Sequence, residues 1–264
     1  MTLTRVDTPT KNNPGNHHYT LDGQRVDGVT TLLSQGIPKP ALLHWGIKRV
    51  AEYAAENLDR LTEWRDQGMS RQALIADLKN APYAERDDAA NRGNEVHSYA
   101  EQLVAGAEVT PPDAIRGHVE ACARFLDEWE VRPLHVETVV GSRKWRYAGS
   151  LDLVADVKSG RTALFDYKTN RSGIFGETAL QLAAYRYAEI YLAADGVEAP
   201  WDLPADLLTA AVWIRSDGYD VVPVAADAEA FKLFCHTAFC ARRYRNLKNA
   251  VGSPVTPDSD WSAA

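Results

Sequence analysis

One stretch of the sequence, GSLDLVADVKSGRTALFDYK (residues 149–168), limits the fold more than any other. Apolar and polar residues alternate on both sides of Lys158-Ser159-Gly160, as they do in two antiparallel strands joined by a short loop. A three-residue hairpin loop requires a left-handed residue at its last position, and Gly160 stands there. With this loop, Val157 lies opposite Arg161, and every other pair of the hairpin follows.

This register gives the two faces of the hairpin different chemistry. One face is apolar and suited to a core, and its pairs are Leu151 with Tyr167, Leu153 with Phe165 and Ala155 with Ala163. The other face places Asp152 directly opposite Asp166, and Lys168 lies on the same side as Asp166 because side chains alternate along a strand. A two-residue loop would instead set Leu153 opposite Asp166, so the separation of apolar and polar residues selects the three-residue loop.

Two opposed aspartates favour a site for a divalent cation. Directly opposed side chains of an antiparallel pair have Cβ atoms about 4.5–5.5 Å apart, where like charges destabilise the sheet. Such a pair raises the pKa of one carboxyl group or binds a cation, and Mg²⁺ and Mn²⁺ prefer oxygen ligands. Lys168 beside the cation would hold or activate a water for phosphodiester hydrolysis. The alternative is an exposed hairpin with mixed charges, because Asp-x-Lys alone is a weak motif. Asp156, opposite Thr162, is assigned to the polar edge of the hairpin.

Composition narrows the function classes. The 264 residues carry a formal net charge of -7, which argues against a protein that grips nucleic acid with its whole surface but leaves room for a basic groove. The three cysteines, Cys122, Cys235 and Cys240, form no C-x-x-C pair and are too few for a four-cysteine site. The N-terminus shows no signal-sequence pattern, and no run of about 18 apolar residues occurs to span a membrane. A cytoplasmic protein is therefore expected.

Hydrophobic periodicity predicts helices around a β-rich centre. Strands are expected at 134–142, on both sides of the hairpin loop, and in a strand pair within 207–225, with a small hairpin at Asp22-Gly23. Helices are expected after Pro40 and over about 70–80, 83–104, 113–129, 178–193 and 226–250.

Four motifs follow one another along the chain. They are Arg92-Gly-Asn-Glu-Val-His97, Gly149-Ser-Leu-Asp152, Asp166-Tyr-Lys168-Thr and Gln181-Leu-Ala-Ala-Tyr185. In residues, order and spacing this series resembles the RecB-like, phage-type branch of the PD-(D/E)xK nuclease superfamily. The likeness covers roughly residues 29–214 and includes VTTLLSQGIPKPALLHW at its start. Each motif alone is weak, whereas the combination is specific.

The resemblance implies an α/β fold with a restriction-endonuclease-like core, in which a mixed β-sheet is flanked by helices and additional helices precede it. The expected organisation is a flexible N-terminal tail over 1–18, a single nuclease domain over 19–252 and a C-terminal tail over 253–264. Within the domain, a helical part would cover about 30–130, the catalytic core about 131–225 and a C-terminal helix about 226–250.

The resemblance also implies roles for individual residues. Asp152, Asp166, His97 and the backbone carbonyl of Tyr167 would bind Mg²⁺ or Mn²⁺, and Lys168 would orient or activate the attacking water. Glu137, on the strand before the hairpin, resembles an acidic position that serves a second metal or its waters. Some family members carry four cysteines for an iron–sulfur cluster, and this chain is one thiol short, so no cluster is expected. The alternative for His97 is a buried core histidine.

Further residues are expected to face the nucleic acid. Gln181 and Tyr185 share a helix face and would contact the catalytic lysine or the DNA backbone, unless they only pack that helix on the sheet. The basic candidates for phosphate contacts are Arg143, Lys144, Arg146 and Arg171, with Arg242, Arg243, Arg245 and Lys248 on the last helix. A solvated basic surface is the alternative for these residues.

The expected function is a metal-dependent deoxyribonuclease, and within that class an exonuclease of linear double-stranded or single-stranded DNA in recombination, repair or phage DNA processing. A recombination or single-strand-binding protein would be its partner, no membrane contact is expected, and the location would be the cytoplasm, or the host cytoplasm if a phage encodes it. Two alternatives stay open: a structure-selective or nicking endonuclease of the same fold, and an inactive core that binds nucleic acid or a partner. Oligomeric state, polarity and strandedness do not follow from the sequence.

Overall fold

A mixed β-sheet with helices on both faces forms the fold. The computed structural model describes residues 2–10, 15–252, 254 and 256. Ten strands lie within these residues: β1 (Leu3–Asp7), β2 (His17–Leu21), β3 (Gln24–Gly28), β4 (Arg132–Ser142), β5 (Tyr147–Asp156), β6 (Thr162–Lys168), β7 (Ile190–Leu192), β8 (Glu198–Pro200), β9 (Leu208–Arg215) and β10 (Gly218–Pro223). The α-helices described are α1 (Val29–Gly36), α2 (Pro40–Glu56), α3 (Leu58–Asp66), α4 (Arg71–Val104), α5 (Asp113–Glu128), α6 (Glu177–Arg186) and α7 (Ala228–Asn246), followed by a 3-10 turn at Leu247–Ala250. The α/β class predicted from the sequence is confirmed.

Strand β5 lies at the centre of the sheet. It pairs antiparallel with β4 along its whole length and antiparallel with β6 near its end. Strand β6 continues in parallel to β9, which pairs antiparallel with β10. Strand β3 pairs in parallel with the first residues of β5 and joins β2 and β1 to the sheet, while β7 and β8 extend it beyond β4.

The central hairpin has the predicted loop. Gly160 has a φ of 75°, and the Val157 amide donates a hydrogen bond to the Arg161 carbonyl at 3.0 Å. Leu153 pairs with Phe165, as the three-residue loop requires. The turn at Asp22-Gly23 also forms as predicted, with φ values of 53° and 75° that suit a tight two-residue hairpin.

Apolar residues cover both faces of the hairpin, which corrects the prediction of a single apolar face. Leu151 packs with α1, α6 and α7, whereas Leu153 and Phe165 pack with α4 and α5. Leu151 and Leu153 would share a face in a regular strand. The alternation changes between them, where β4 carries Glu137 at a φ of 45° beside β5. A left-handed residue inside a strand distorts the pleat, and this distortion lies beside the position where the face changes.

The N-terminal residues are also ordered, so the prediction of a flexible tail over 1–18 is wrong for the described part. Strand β1 pairs with β2, and Leu3 is completely buried against Tyr19 and Val139. Strand β1 is held by this packing against residues that are distant in sequence. Residues 1 and 11–14 lie outside the described part, as does most of the tail predicted over 253–264.

Two helix boundaries differ from the predicted ones. The helices expected over 70–80 and 83–104 form one helix, α4, with Pro82 inside it. The helix expected to reach residue 193 ends at Arg186, because Ile190 and Tyr191 pair with β4 instead. Sheet pairing thus overrides helix propensity at this point. No helix in the described ranges is long and apolar enough to cross a membrane.

Candidate functional site

The site lies at a gap in the pairing of β5. Because β4 occupies one edge of β5, strands β3 and β6 share the other edge. Strand β3 pairs at Tyr147 and Ala148, whereas β6 pairs from Leu153 onward, and Asp152 lies in the gap between them. The backbone amide of Tyr167 donates a hydrogen bond of 2.6 Å to Asp152 Oδ2. The predicted Asp152–Asp166 strand pair is therefore not part of the described ladder, and a side chain joins the two strands there.

Three side chains from different elements meet at this gap. His97 of α4, Glu137 of β4 and Asp152 of β5 each offer one ligand atom, and these atoms lie within 4.8 Å of one another. His97 Nδ1 is 3.7 Å from Asp152 Oδ1, and His97 Nε2 is 3.1 Å from the carbonyl oxygen of Tyr167. The structure thus brings together four of the predicted metal-binding positions. We call His97, Glu137 and Asp152 the donor group.

The hydrogen bond to Tyr167 defines the orientation of the His97 ring. A carbonyl oxygen can only accept, so Nε2 carries the proton in this contact. In the neutral imidazole, Nδ1 then presents a lone pair toward Asp152. His97 Nδ1 and Asp152 Oδ1 are both suitable metal ligands.

Glu137 is held in an environment that disfavours its charge. The pKa of Glu137 is raised to about 8, mainly by burial and also by the charges of Asp152 and Glu101, while the charge of Arg5 lowers it. Its backbone has a φ of 45°, which is uncommon for residues other than glycine and often accompanies a functional site. A cation bound beside Glu137 would stabilise the ionised carboxylate.

We expect the variant Glu137→Gln to be more stable than the wild type at pH 8 but not at pH 5, when divalent cations are removed. The folded protein holds the Glu137 proton more tightly than the unfolded chain, whose pKa is near 4.5. The stability due to this proton is complete below that value and is lost as the pH rises toward 8. Thermal unfolding from pH 5 to 9 should show a gain of about 2–4 °C for each kcal/mol recovered.

The exposed Glu108→Gln provides the matched control for this measurement, and its profile should parallel that of the wild type. Added Mg²⁺ or Mn²⁺ should stabilise the wild type more at pH 8 than at pH 5. Identical profiles for Glu137→Gln and the wild type would contradict a neutral Glu137 in the metal-free protein.

A second set of polar side chains lies beside the donor group. Asp166 is 2 % exposed, forms an ion pair with Lys168, and accepts a hydrogen bond of 2.8 Å from Gln181 Nε2. Lys168 Nζ also donates to Gln181 Oε1 at 3.2 Å. The pKa of Asp166 is raised to about 6, mainly by burial and also by the charge of Asp152, while the nearby Lys168 lowers it. We call Asp166, Lys168 and Gln181 the lysine network. Its Asp166 lies next to the donor group without joining it, so metal binding by Asp166 stays a prediction.

Helix α6 approaches the sheet closely enough to place Gln181. A Cβ atom on Gly149 would lie 2.8 Å from the Tyr185 ring and 3.1 Å from Val29, so a glycine is required at this contact. Tyr185 is 2 % exposed, and Gln181 Nε2 lies 3.4 Å from its hydroxyl. The predicted DNA contact of Tyr185 is therefore corrected, because a buried side chain is not accessible to a phosphate. Its hydroxyl instead contacts Gln181.

The basic residues before the hairpin are mostly engaged with the protein. Arg143 makes two hydrogen bonds of 2.7 Å to Glu198 and an ion pair with Asp22. Arg146 donates to Gln24 at 2.9 Å. Arg143 is thus held by two carboxylates, and its phosphate contact stays a prediction.

Other predicted DNA-binding residues differ in their exposure. Lys144 and Arg171 are exposed, and their phosphate contacts stay a prediction. On α7, Arg242 and Arg245 both pair with Asp27 of β3, which fixes the helix to the N-terminal strands. Arg243 lies over the Phe239 ring at 5.5 Å. The side chain of Lys248 lies outside the described part.

Three residues near the site are absent from the sequence predictions. Arg5 Nη1 donates to Ser150 Oγ at 3.3 Å, and the Tyr19 hydroxyl is 3.1 Å from the same oxygen. The charge of Arg5 acts on Glu137. The run Thr4–Val6 contains β-branched residues, which are typical of a strand. This signal could have predicted a strand within the segment assigned to the N-terminal tail.

Comparisons with known proteins do not indicate a function, so the geometry of the site is the main evidence. No protein-family model matches the sequence, and no curated protein matches it either. Among solved structures, the chain is similar to SSO0001, known from a crystal structure, with 15% identity and a TM-score of 0.26. The match covers 63% of this chain and 73% of that chain. A likeness of this size carries no argument about fold family or function.

Proposed function

We propose that this protein is a metal-dependent DNA nuclease with a restriction-endonuclease-like core, and that it acts as an exonuclease on linear DNA. The observation that carries the proposal is the position of the donor group beside the lysine network at the gap in β5. Hydrolysis of a phosphodiester requires stabilisation of the negative charge on the phosphate and a nearby group that orients or deprotonates the attacking water. These two sets of side chains offer both functions.

The donor group suits Mg²⁺ or Mn²⁺. One imidazole and two carboxylates are ligands that Mn²⁺ accepts, and Mg²⁺ binds through the carboxylates while it keeps several waters. The donor group would hold the ion, the Tyr167 carbonyl would orient the His97 ring, and a cation would favour the ionised form of Glu137, whose pKa is raised to about 8. When bound, such an ion stabilises the negative charge that develops on the phosphate and lowers the pKa of a coordinated water.

Lys168 is oriented so that it could donate a hydrogen bond to a water or a phosphate. An ammonium group has three N–H donors. Within the described part of the chain, Asp166 and Gln181 account for two of them, and the side chain of Lys168 keeps 26% exposure. The third donor is therefore free to reach a water or a phosphate oxygen. Gln181 fixes both Lys168 and Asp166, so it is a positioning residue.

The choice of DNA and of an exonuclease rests on the resemblance of the four motifs, as does the proposed role in recombination, repair or phage DNA processing. A recombination or single-strand-binding protein is the partner class that fits this role. These finer assignments require a substrate test, because one fold supports many cleavage specificities.

Digestion of end-labelled linear DNA and covalently closed circular DNA, with Mg²⁺ or Mn²⁺, tests the proposal. An exonuclease degrades linear DNA in a metal-dependent manner and leaves closed circles intact. Cleavage of closed circles would contradict an exonuclease and support the endonuclease alternative. If linear and circular DNA both stay intact and calorimetry detects no metal binding, the nuclease proposal is wrong. This result would favour a protein that only binds nucleic acid or a partner.

A further inference from the structure

Strand β1 brings an arginine to the edge of the donor group. Arg5 pairs with Tyr19 across β1 and β2, so its side chain lies beside the Tyr19 ring. Both side chains reach Ser150 of β5, which stands two residues before Asp152. The N-terminal strands therefore form one wall of the gap in β5.

Several contacts fix the guanidinium of Arg5. Its Nε donates to Asp7 at 3.0 Å, and its Nη1 donates to Ser150 Oγ at 3.3 Å. Tyr19 holds the same Ser150 oxygen at 3.1 Å, and His17 Nε2 lies 2.9 Å from the Tyr19 hydroxyl. An arginine that is already oriented loses little side-chain entropy when it binds a further group.

Arg5 is partly exposed at the edge of the gap. The Asp7 carboxylate paired with it is largely exposed, whereas Arg5 itself keeps 31% exposure, enough to meet a ligand. The charge of Arg5 also favours the ionised carboxyl of Glu137. A guanidinium offers two parallel N–H donors that match the oxygens of a phosphate.

We propose that Arg5 binds a backbone phosphate of the DNA strand whose neighbouring phosphodiester lies at the donor group. This inference rests on the proposed nuclease function and adds the N-terminal strands to its substrate-binding surface. Arg5 would fix the strand relative to the donor group, and the contact would contribute to binding of any sequence, because phosphates carry no base information.

Binding and cleavage of a linear duplex by Arg5→Gln test the inference, with Arg25→Gln as the matched control on the exposed side of β3. Binding is measured by fluorescence anisotropy with Ca²⁺ in place of Mg²⁺, over a series of salt concentrations. For Arg5→Gln we expect a weaker Kd, by about tenfold, and a salt slope reduced by about one, as for the loss of one phosphate contact. Arg5→Lys should restore part of the affinity.

Cleavage kinetics and thermal unfolding separate this role from a structural one. We expect Arg5→Gln to raise KM more than it lowers kcat, and to keep the melting temperature within a few degrees of Arg25→Gln. An unchanged Kd and salt slope would overturn the inference, even if the wild type cleaves DNA. If the wild type binds DNA through Arg5 but does not cleave it, the proposed nuclease function is wrong and the inferred phosphate contact is supported. A wild type that does not bind DNA would overturn both.

Discussion

Replacing Asp152 with asparagine is expected to lower kcat/KM for DNA cleavage by more than about 100-fold and to weaken metal binding. Loss of a group that only supports a metal ligand costs up to about 100-fold, and Asp152 itself belongs to the donor group. The substitution removes one negative charge beside His97 and Glu137. Its amide oxygen still accepts the Tyr167 N–H, so the hairpin should keep its shape. Calorimetric titration with Mn²⁺ and digestion of end-labelled linear DNA measure the two effects.

Asp156→Asn is the matched control for this variant. Asp156 lies on the same strand, and its Oδ1 accepts a hydrogen bond of 2.7 Å from Thr162, away from the donor group. We expect its activity and metal affinity to equal those of the wild type. A similar loss in both variants would assign the effect to the hairpin as a whole, and wild-type activity of Asp152→Asn would contradict the candidate site.

The second large effect concerns Lys168, where we expect Lys168→Met to lower kcat by about 10²–10⁴-fold with metal affinity retained. Positioned groups that transfer or hold a proton contribute factors of this size. Lys168 lies outside the donor group, so the variant keeps all three ligand atoms. Single-turnover cleavage and Mn²⁺ titration provide the two readouts.

Stability must be measured with this variant because Lys168 pairs with a buried carboxylate. Removal of one partner from a buried ion pair costs about 3–5 kcal/mol. The double variant Asp166→Asn/Lys168→Met removes both charges, keeps an acceptor for Gln181, and should recover much of the melting temperature without recovering activity. Lys158→Met, in the hairpin loop beside the exposed Glu130, controls for loss of a surface charge. Full activity of Lys168→Met would show that the lysine network serves folding alone.

Local sequence rules predicted the central hairpin well. Gly160 fixed the loop, and the alternation of apolar residues then fixed the pairing of Leu153 with Phe165. Both are short-range properties, since loop geometry and side-chain alternation involve only residues that lie close in sequence. The motif containing His97 added a residue from a distant helix, which no periodicity would have joined to Asp152.

The remaining features depend on distant contacts. Strand β1 forms because Leu3 is buried against Tyr19 and Val139, and α6 ends early because β7 pairs with β4. Leu151 and Leu153 lie on different faces, beside the left-handed backbone of Glu137 in the neighbouring strand. These packing relations join residues that are distant in sequence, so local patterns led to the prediction of a tail in place of β1 and of a longer α6.

The gap in β5 has a consequence for the order in which the protein matures during folding. The Asp152–Tyr167 contact spans 15 residues, the His97–Tyr167 contact spans 70, and the Arg5–Ser150 contact spans 145. Long-range contacts close later than local ones because the chain loses more entropy in forming them. The hairpin can thus form early. The donor group forms only after helix α4 docks, and the contact between Arg5 and Ser150 forms only after strand β1 pairs with the sheet. Catalytic competence would therefore report the completion of the whole fold, while circular dichroism of the strands would respond sooner.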